Sequence, residues 1–468
     1  MSSLWAIVAV SLPAVATLAA RLGTIDLAYL VRVGRFSLES HRLMRVDAFT
    51  FTVAGQPWLD QQWFAAILFG AIHRVAGWDG LVVLRSALIG VTFLLVYRSC
   101  RSAGAGSRAA ALLTLGSFGA CLLGLGLRPQ LFGFAFFAST AWILAERERH
   151  PGRVWILPPL MVLWVNVHGS FFLLPLLLGL TWLADHRERR SGADRLLKVA
   201  LVCLPLTVLN PFGPRVWAYV VSISTNPAVT KAVTEWAPPT IKDPAGGAFF
   251  LSAGALVAFF ARRGRPVAWP TLLTLGTFFA IGLVAGRGIF WWDLLVPSIV
   301  AGSLRDAHPR TETRVPVWMT GTILATLVVV GVTFLPWLRM DADASMRPSL
   351  LSAAPPAITR QVQHLPDGQR LFTAQIWGSW FEYAVPADRV FVDSRIELFP
   401  PSVWRNYFQI STGMEGWQQL LDRWDVDVVV ASRTQQLDLI PRIRTDPGWR
   451  LLYSDDDGAV FVRADTVG

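Results

Sequence analysis

Two aspartates in one polar segment are the residues of this sequence best suited to chemistry. Asp26 follows the first apolar run, which ends at Arg21, and Asp47 comes later in the same segment. A carboxylate at a membrane surface can act as a general base, which takes the proton from an attacking hydroxyl group. The alternative is a solvated loop carboxylate. Asp26 is the first choice because it lies closer to the apolar run, and Asp47 is the second.

Three arginines could hold the leaving group of such a reaction. Arg85, Arg128 and Arg287 each lie near the end of an apolar run, on the side predicted below to face outward. The planar guanidinium fork matches the oxygens of a phosphate group, which a lipid-linked donor would present at this depth. The alternative is that each arginine only reaches from a helix end to the membrane surface.

Polar residues in otherwise apolar surroundings extend this set. Asn166 and His168 lie within 154–184, a stretch without Asp, Glu, Lys or Arg. Each could contact the donor phosphate or sugar, since polar side chains in membrane segments are often functional. The alternative for His168 is a bond to a backbone carbonyl at a turn. Glu235 lies in a loop at 211–246, where it would cover the site, bind the acceptor or only pack the loop.

The composition predicts an α-helical polytopic membrane protein. Of the 468 residues, 53% are hydrophobic and 16% are charged, whereas about 25% are charged in ordinary soluble domains. The net charge of +10 comes mostly from arginines between apolar runs, so it indicates membrane orientation, and we expect no nucleic-acid partner. The three cysteines have no metal-ligand spacing, which favours neither a disulfide framework nor a cysteine-based zinc site.

The apolar runs predict about eleven transmembrane helices. They lie at 4–20, 79–97, 109–127, 129–145, 154–167, 169–184, 196–210, 247–261, 267–285, 288–304 and 315–337. With a cytoplasmic N-terminus, this count places every arginine-rich connection on the cytoplasmic side of the plasma membrane.

The stretch 154–184 is then a hairpin with its turn at His168. The run at 64–75 is short for a span and predicts a helix at the membrane interface.

The sequence predicts that the chain is divided into three parts. A membrane domain covers 1–339 and carries a first outer loop at 21–78, a linker follows at 340–356, and an extracytoplasmic domain covers 357–468. In the last part, short apolar strands alternate with helical segments, which predicts a small α/β domain. The strands are expected at 370–374, 389–393, 426–431 and 459–463, and the helices at 402–410, 416–424 and 435–444.

Asp393 and Arg395 come at the end of one predicted strand, where α/β sheets place ligand groups. No nucleophile constellation accompanies them in the sequence, so an internal ion pair is favoured over chemistry.

Several short motifs occur in a characteristic order along nearly the whole chain. They are 26–34 (Asp-Leu-Ala-Tyr-Leu-Val-Arg-Val-Gly), 44–52, 55–58, 63–64, 128–130 (Arg-Pro-Gln), 164–169 (Trp-Val-Asn-Val-His-Gly), 210–213 (Asn-Pro-Phe-Gly), 235–236, 377–378, 391–395 and 447–449. In this order the sequence resembles a bacterial branch of the GT-C fold glycosyltransferases. These integral membrane enzymes use polyprenyl-phosphate sugars and include relatives of protein O-mannosyltransferases and aminoarabinose transferases.

The resemblance implies a catalytic aspartate in the first outer loop, an interface helix before the second span, and a lipid-phosphate site between spans. It also implies a polyprenyl-phosphate-sugar donor, a glycan, lipid or protein as acceptor, and membrane lipids as surroundings. The chain departs from the branch where Leu30 replaces a histidine and Gln61-Gln62 replaces a His-Glu pair. These changes remove candidate metal ligands, so no metal-binding residue is assigned, no cofactor is certain, and use of a divalent ion stays open.

Three functions therefore compete. The first is an enzyme that transfers a sugar to an acceptor outside the cell, which the retained aspartates and outer arginines favour. The second is a non-catalytic GT-C-like membrane protein that binds lipid-linked glycan or assists cell-envelope assembly, which the substituted positions favour. The third is a transporter, which is disfavoured because the sequence shows no inverted repeat.

Overall fold

The chain divides into two compact units in a computed structural model. The structure describes residues 2–225, 234–264, 266–304, 316–339, 341, 347, 349–352 and 354–464. The first unit contains Met1–Ala20 and Val82–Arg339, and the second contains Arg21–Leu81 and Met340–Gly468. The first outer loop of the sequence analysis thus belongs to the same unit as the tail.

Helices make up most of the described residues. In chain order they are α1 Ser2–Ala19, α2 Leu27–Ser40, α3 Trp63–Ser102, α4 Ser107–Cys121, α5 Pro129–Ala145, α6 Leu157–Val167, α7 Leu173–Arg187, α8 Ala193–Leu206, α9 Arg215–Thr225, α10 Pro244–Arg263, α11 Trp269–Val284, α12 Ile289–Leu304, α13 Val317–Thr333, α14 Pro356–Gln363, α15 Gln375–Ala384, α16 Pro401–Ser411, α17 Trp417–Arg423 and α18 Leu439–Arg444. Proline lies in the first turn of α5, α10 and α11, since its fixed φ suits a first helical turn that needs no N–H donor there.

Every predicted apolar run is helical in the described part of the chain. The helix α5 has the predicted bounds, Pro129–Ala145. Four helical stretches are long and apolar enough to cross a membrane, namely Trp63–Ser102, Ser107–Gly124, Gly169–Arg187 and Pro244–Arg263. Shorter apolar helices lie at Leu4–Ala19, Pro129–Ala145, Trp269–Val284 and Trp318–Thr333. The class of a mostly helical protein with apolar spans is confirmed, whereas the number of crossings stays a prediction.

The long helix α3 is broken at Gly77. There φ is 57° and ψ is −155°, a left-handed backbone that glycine adopts without a steric cost. The break falls between the predicted interface helix at 64–75 and the predicted span at 79–97, so the two are separate helical segments.

Basic connections meet at one end of the first unit. Arg147, which follows α5, donates two hydrogen bonds to the carboxylate of Asp185 near the end of α7, at 2.6 and 2.7 Å. Arg149 donates to the carbonyl of Ser102 at the end of α3, at 3.0 Å. Three of the predicted cytoplasmic connections therefore lie together, as an alternating up-and-down helix order requires.

The second unit contains a mixed five-stranded sheet. Its strands are β1 Arg370–Thr373, β2 Arg389–Val390, β3 Val428–Ser432, β4 Trp449–Ser454 and β5 Gly458–Arg463, in the order β2-β1-β3-β5-β4. The first three are parallel, and β5 is antiparallel to both β3 and β4. The predicted strands are confirmed, with β2 shorter than expected. The strand β4 and the helices α14 and α15 were not predicted.

The first outer loop extends this sheet. Val390 of β2 donates to the carbonyl of Phe49 at 3.1 Å, and Phe51 donates to the carbonyl of Val390 at 3.2 Å. The loop therefore covers the open edge of the sheet, which would otherwise present unpaired backbone groups.

The same loop contains the helix α2, which the sequence pattern does not predict. It crosses the first part of α3 at very short range. A Cβ atom added to Gly34 would lie 1.9 Å from the carbonyl oxygen of Ala66, and one added to Gly70 would lie 2.6 Å from the backbone of Gly34. Small residues on both helices are what permit this backbone contact.

We expect Gly34→Ala to lower the free energy of unfolding by about 1–3 kcal/mol, because the added methyl group must push the two helices apart. The matched control is Gly116→Ala in α4, where nothing lies within 4 Å of an added Cβ atom. Thermal unfolding in detergent, followed by tryptophan fluorescence, compares them. Equal effects of the two substitutions would contradict the close crossing.

Candidate functional site

Two of the predicted arginines meet at one carboxylate in the first unit. Arg128 Nη1 donates to both oxygens of Glu235, with 2.6 Å to Oε1. Arg287 contacts Oε2 of the same carboxylate through Nε at 2.9 Å and Nη2 at 2.8 Å. All three residues are candidates from the sequence, and Glu235 lies 107 positions after Arg128 in the chain.

Short turns position this cluster. Arg128 directly precedes Pro129, the first residue of α5, and Arg287 lies in the turn Gly286–Gly288 between α11 and α12. A Cβ atom at Gly288 would lie 2.2 Å from the carbonyl oxygen of Ile281, so glycine is required for this turn to fold back on α11. Gly286 donates to the carbonyl of Ala237 at 2.9 Å, which ties the Glu235 loop to the turn.

The cluster carries one net positive charge. Burial acts to raise the pKa of Glu235, but the charges of Arg287 and Arg128 lower it below its ordinary value. The carboxylate is therefore ionised at neutral pH, and it balances one of the two guanidinium charges. Arg287 also lies over the ring of Trp236, 5.2 Å from its centroid, an attractive cation–π contact.

His168 is a neutral hydrogen-bond donor at the end of α6. Burial, and then the charge of Arg287, lower the pKa of His168 to about 3. Its Nδ1 atom accepts from the backbone N–H of Ser170 at 3.1 Å, which assigns the ring proton to Nε2. The Ser170 hydroxyl lies 2.7 Å from the same Nδ1 and accepts from Trp164 Nε1 at 3.0 Å. Ser170 and Trp164 thus orient the ring.

Asn166 and Arg85 have structural contacts. The side-chain amide of Asn166 donates to the carbonyls of Val162 and Leu209, each at 2.8 Å, and so fastens α6 to the segment after α8. Arg85 is 3% exposed and donates to carbonyls at the end of α1, including that of Ala20 at 2.7 Å. These contacts favour a structural role for both residues, and the assignment of Arg85 to donor phosphate and of Asn166 to substrate stays a prediction.

Asp26 directly precedes α2 in the second unit. Its carboxylate makes no capping bond to the first turn of that helix, and the residue is partly exposed. Its neighbours Ile25 and Leu27 line a small apolar groove together with Trp78 and Trp380. The groove is thus formed by sequence neighbours of Asp26, and the role of Asp26 as a base stays a prediction.

Asp47 instead belongs to a buried ion-pair network. Its Oδ1 atom accepts from Arg395 Nη2 at 2.6 Å, and its Oδ2 atom accepts from the backbone and hydroxyl of Thr50 at 3.1 and 2.7 Å. Arg395 also donates from Nε to Asp393 at 2.9 Å. The side chains of Arg395 and Asp47 are 1% and 0% exposed. The structure therefore argues against proton transfer by Asp47, and the expected internal pair of Asp393 with Arg395 is confirmed.

Glu382 completes this network as an acid. Burial and the neighbouring Asp393 raise the pKa of Glu382 well above its ordinary value. Its carboxyl lies 3.6 Å from Arg395, and Arg32 donates to its backbone carbonyl. With Glu382 neutral, the charges of Arg32 and Arg395 balance those of Asp47 and Asp393. Aromatic rings enclose the centre, with the Trp58 ring centroid 4.8 Å from the Arg395 guanidinium.

Asp60 is a buried acid that the sequence analysis did not single out. It is 4% exposed, and burial raises its pKa to about 7, while the backbone N–H of Gln62 opposes the shift. Its only sequence signal was its place in the polar stretch before α3. Among the described residues, no group of three His, Cys, Asp or Glu side chains could hold a metal ion.

Solved structures share this fold. The sequence itself matches no family model and no curated relative. The chain is similar to the oligosaccharyltransferase of Archaeoglobus fulgidus in its apo form, with 13% identity and a TM-score of 0.58 over 100% of this chain and 74% of that one. It is also similar to ArnT from Cupriavidus metallidurans bound to undecaprenyl phosphate, with 16% identity and a TM-score of 0.53 over 99% and 98% of the two chains.

A third similar structure is the arabinofuranosyltransferase AftD from Mycobacteria, with 15% identity and a TM-score of 0.59. The alignment covers 98% of this chain and 40% of AftD. All three are GT-C fold glycosyltransferases, so the fold expected from the motif order is confirmed: the protein has a GT-C-like membrane fold.

We expect Arg395→Met to lower the free energy of unfolding of the second unit by about 3–5 kcal/mol, because it leaves buried carboxylates without their counter-charge. The control is Arg370→Met, which removes an exposed pair with Asp425 (45% and 79% exposed) and should cost less than about 1 kcal/mol. Chemical denaturation of the purified protein measures both. Similar losses would show that the network is not a special source of stability.

Asp60 predicts a pH dependence of stability. Its folded pKa of about 7 exceeds the unfolded value of 3.8, so its stabilising contribution is complete below about pH 4 and is lost as the pH rises towards 7. Relative to the wild type, Asp60→Asn should therefore gain stability across that interval. Denaturation curves at several pH values test this, with the exposed Glu415→Gln as control. Parallel curves for wild type and Asp60→Asn would refute it.

Proposed function

We propose that this protein transfers a sugar from a polyprenyl-phosphate donor to an acceptor hydroxyl on the outer side of the membrane. The observation that supports this most is the pair of arginines that converge on one carboxylate at a helix end, within a GT-C-like fold. One similar structure, ArnT, is bound to undecaprenyl phosphate, and another, the archaeal oligosaccharyltransferase, is tethered to an acceptor peptide.

In the proposed reaction, Asp26 takes the proton from the acceptor hydroxyl. The acceptor oxygen then forms a bond to the anomeric carbon of the sugar, and the bond from that carbon to the phosphate oxygen breaks. The electron pair of the broken bond stays with the phosphate. The products are the glycosylated acceptor and polyprenyl phosphate, and the proton on Asp26 passes to solvent.

The arginine cluster would stabilise the leaving group. Arg128 and Arg287 supply charged donors for a phosphate whose negative charge grows as the bond breaks. His168 would add a neutral N–H donor from Nε2, since its lowered pKa keeps the ring uncharged. A neutral donor beside two cations binds an oxyanion without adding a third like charge to the site.

The distribution of charge supports an outer location. The arginine-rich connections after α3, α5 and α7 contact one another at one end of the first unit. The Arg128–Glu235–Arg287 cluster lies at the other ends of these helices, since Arg128 precedes α5 and His168 follows α6. By the positive-inside rule the basic end faces the cytoplasm, so we propose that the cluster faces outward. The extracytoplasmic location of the tail domain stays the prediction made from the sequence.

A non-catalytic GT-C-like protein is the second candidate function. It is favoured by the positions where the related branch carries a His and a His-Glu pair and this chain carries Leu30 and Gln61-Gln62. Leu30 and Gln61 are buried, at 0% and 2% exposure, whereas Gln62 is partly exposed. Burial weakens the argument that the first two substitutions remove contacts with a ligand, but it does not apply to Gln62. No step above needs a metal ion.

We expect Asp26→Asn to lower sugar transfer by about 100-fold or more, because the amide cannot accept the hydroxyl proton. Transfer of a radiolabelled sugar from polyprenyl phosphate in membranes measures this. The control is Glu39→Gln on the exposed side of α2 (61% exposed), which should retain activity. Undiminished transfer by a correctly folded Asp26→Asn protein would remove the proposed catalytic role and favour the non-catalytic alternative.

A further inference from the structure

Glu235 occupies the position that an anionic ligand would take between the two arginines. Its Oε2 atom contacts Arg287 through two nitrogens, at 2.8 and 2.9 Å, and its Oε1 atom accepts from Arg128 at 2.6 Å. A carboxylate that accepts from two guanidinium groups reproduces the contacts of two phosphate oxygens. The chain thus places one of its own anions on its most ligand-like pair of cations.

This contact is accessible to solvent. The side chains of Arg128, Arg287 and Glu235 are 23%, 27% and 42% exposed, respectively. Ion pairs with this exposure contribute little to stability, because water competes for the same charges. Breaking the contacts to Glu235 therefore costs far less than breaking those of the buried Arg395 network.

A hydrogen bond to the Gly286–Gly288 turn holds the backbone next to Glu235, whereas the side chain of Glu235 is partly exposed to solvent. Ala237 accepts the hydrogen bond from Gly286 at 2.9 Å, and Trp236 lies against the guanidinium of Arg287. Release of the carboxylate from the arginines therefore requires only rotation about the side-chain bonds of Glu235. The loop backbone can stay in place.

We propose that Glu235 is a built-in competitor for the phosphate site, which holds the two arginines together when the site is empty and is displaced by a phosphate monoester. This inference rests on the phosphate site of the proposed function and concerns its regulation. Two guanidinium groups carry a charge of +2, and a phosphate monoester carries about −1.5 to −2 at pH 7. The ligand thus neutralises the pair more fully than a single carboxylate does.

Competition between Glu235 and phosphate predicts the direction in which the affinity for phosphate changes when Glu235 is replaced. Phosphate must displace Glu235, so the intrinsic affinity of the arginine pair is reduced by the fraction of sites that the carboxylate occupies. Product release benefits from the same effect, since the carboxylate can return as polyprenyl phosphate leaves. Removal of the negative charge should therefore tighten binding, whereas loss of an ordinary positioning residue would weaken it.

The test is the affinity of the full-length protein in detergent for a polyprenyl monophosphate. We expect Glu235→Gln to lower the Kd by about tenfold, which corresponds to about 1.4 kcal/mol. The matched control is Asp243→Asn, which removes one negative charge from the same loop. Asp243 accepts from Gly246 at the start of α10, and asparagine can keep that cap. We expect its Kd to stay at the wild-type value. Weaker binding by Glu235→Gln, or equal tightening by both variants, would overturn the inference.

Two further ligands show whether the change in affinity comes from the phosphate group or from the polyprenyl chain. Inorganic phosphate should also bind more tightly to Glu235→Gln if the site recognises the phosphate group itself, whereas the matching polyprenol without phosphate should not respond. A response of the polyprenol equal to that of the monophosphate would contradict competition at the arginines. Asp26→Asn separates this inference from the proposed function, because it should abolish transfer while leaving the effect of Glu235→Gln on binding intact.

Discussion

The buried guanidinium of Arg395 is the interaction on which the second unit depends. It joins Asp47 of the first outer loop to Asp393 of the tail in a volume closed to water, and Arg395 itself lies 348 positions after Asp47 in the chain. Such a charge is tolerated only while its partners are in place, because an unpaired buried ion costs several kcal/mol. The loop that carries Asp26 is therefore held to the tail by electrostatics as well as by its backbone pairing with β2.

The first unit uses charge in a different way. At one end, arginines pair with acids and with helix-end carbonyls, which suits a face that orients a membrane protein. At the other end, two arginines share one exposed carboxylate, so a positive charge is left over where a ligand can reach it. The two units thus use the same residue type in different surroundings: Arg395 is enclosed, while Arg128 and Arg287, the proposed phosphate-binding pair, are accessible to solvent.

Local sequence patterns predicted the helices and strands whose formation depends on residues close together in the chain. Uninterrupted apolar runs gave the helices of the first unit, with α5 at its observed bounds, and alternating apolar segments gave β1, β3 and β5. The sequence did not show that α2 forms, since α2 packs against residues distant in the chain, such as Glu382, whose carbonyl accepts a hydrogen bond from Arg32. Nor did it show that Asp47 meets Arg395 or that Glu235 meets both arginines, because no local pattern encodes pairs that far apart along the chain. In the sequence, Asp26 and Asp47 differ only in their distance from the apolar run, whereas the structure shows that Asp47 is buried in an ion-pair network and Asp26 is partly exposed.

The central claim is that the Asp26 loop and the arginine cluster work on the outer side of the membrane, and cysteine labelling tests it most directly. All three native cysteines are buried, so single substitutions at exposed positions can be compared on a low background. The account predicts that a membrane-impermeant maleimide labels Gln56→Cys in intact cells and labels Ser191→Cys, at the basic end, only after the cells are opened. Labelling of Ser191→Cys but not Gln56→Cys in intact cells would contradict it.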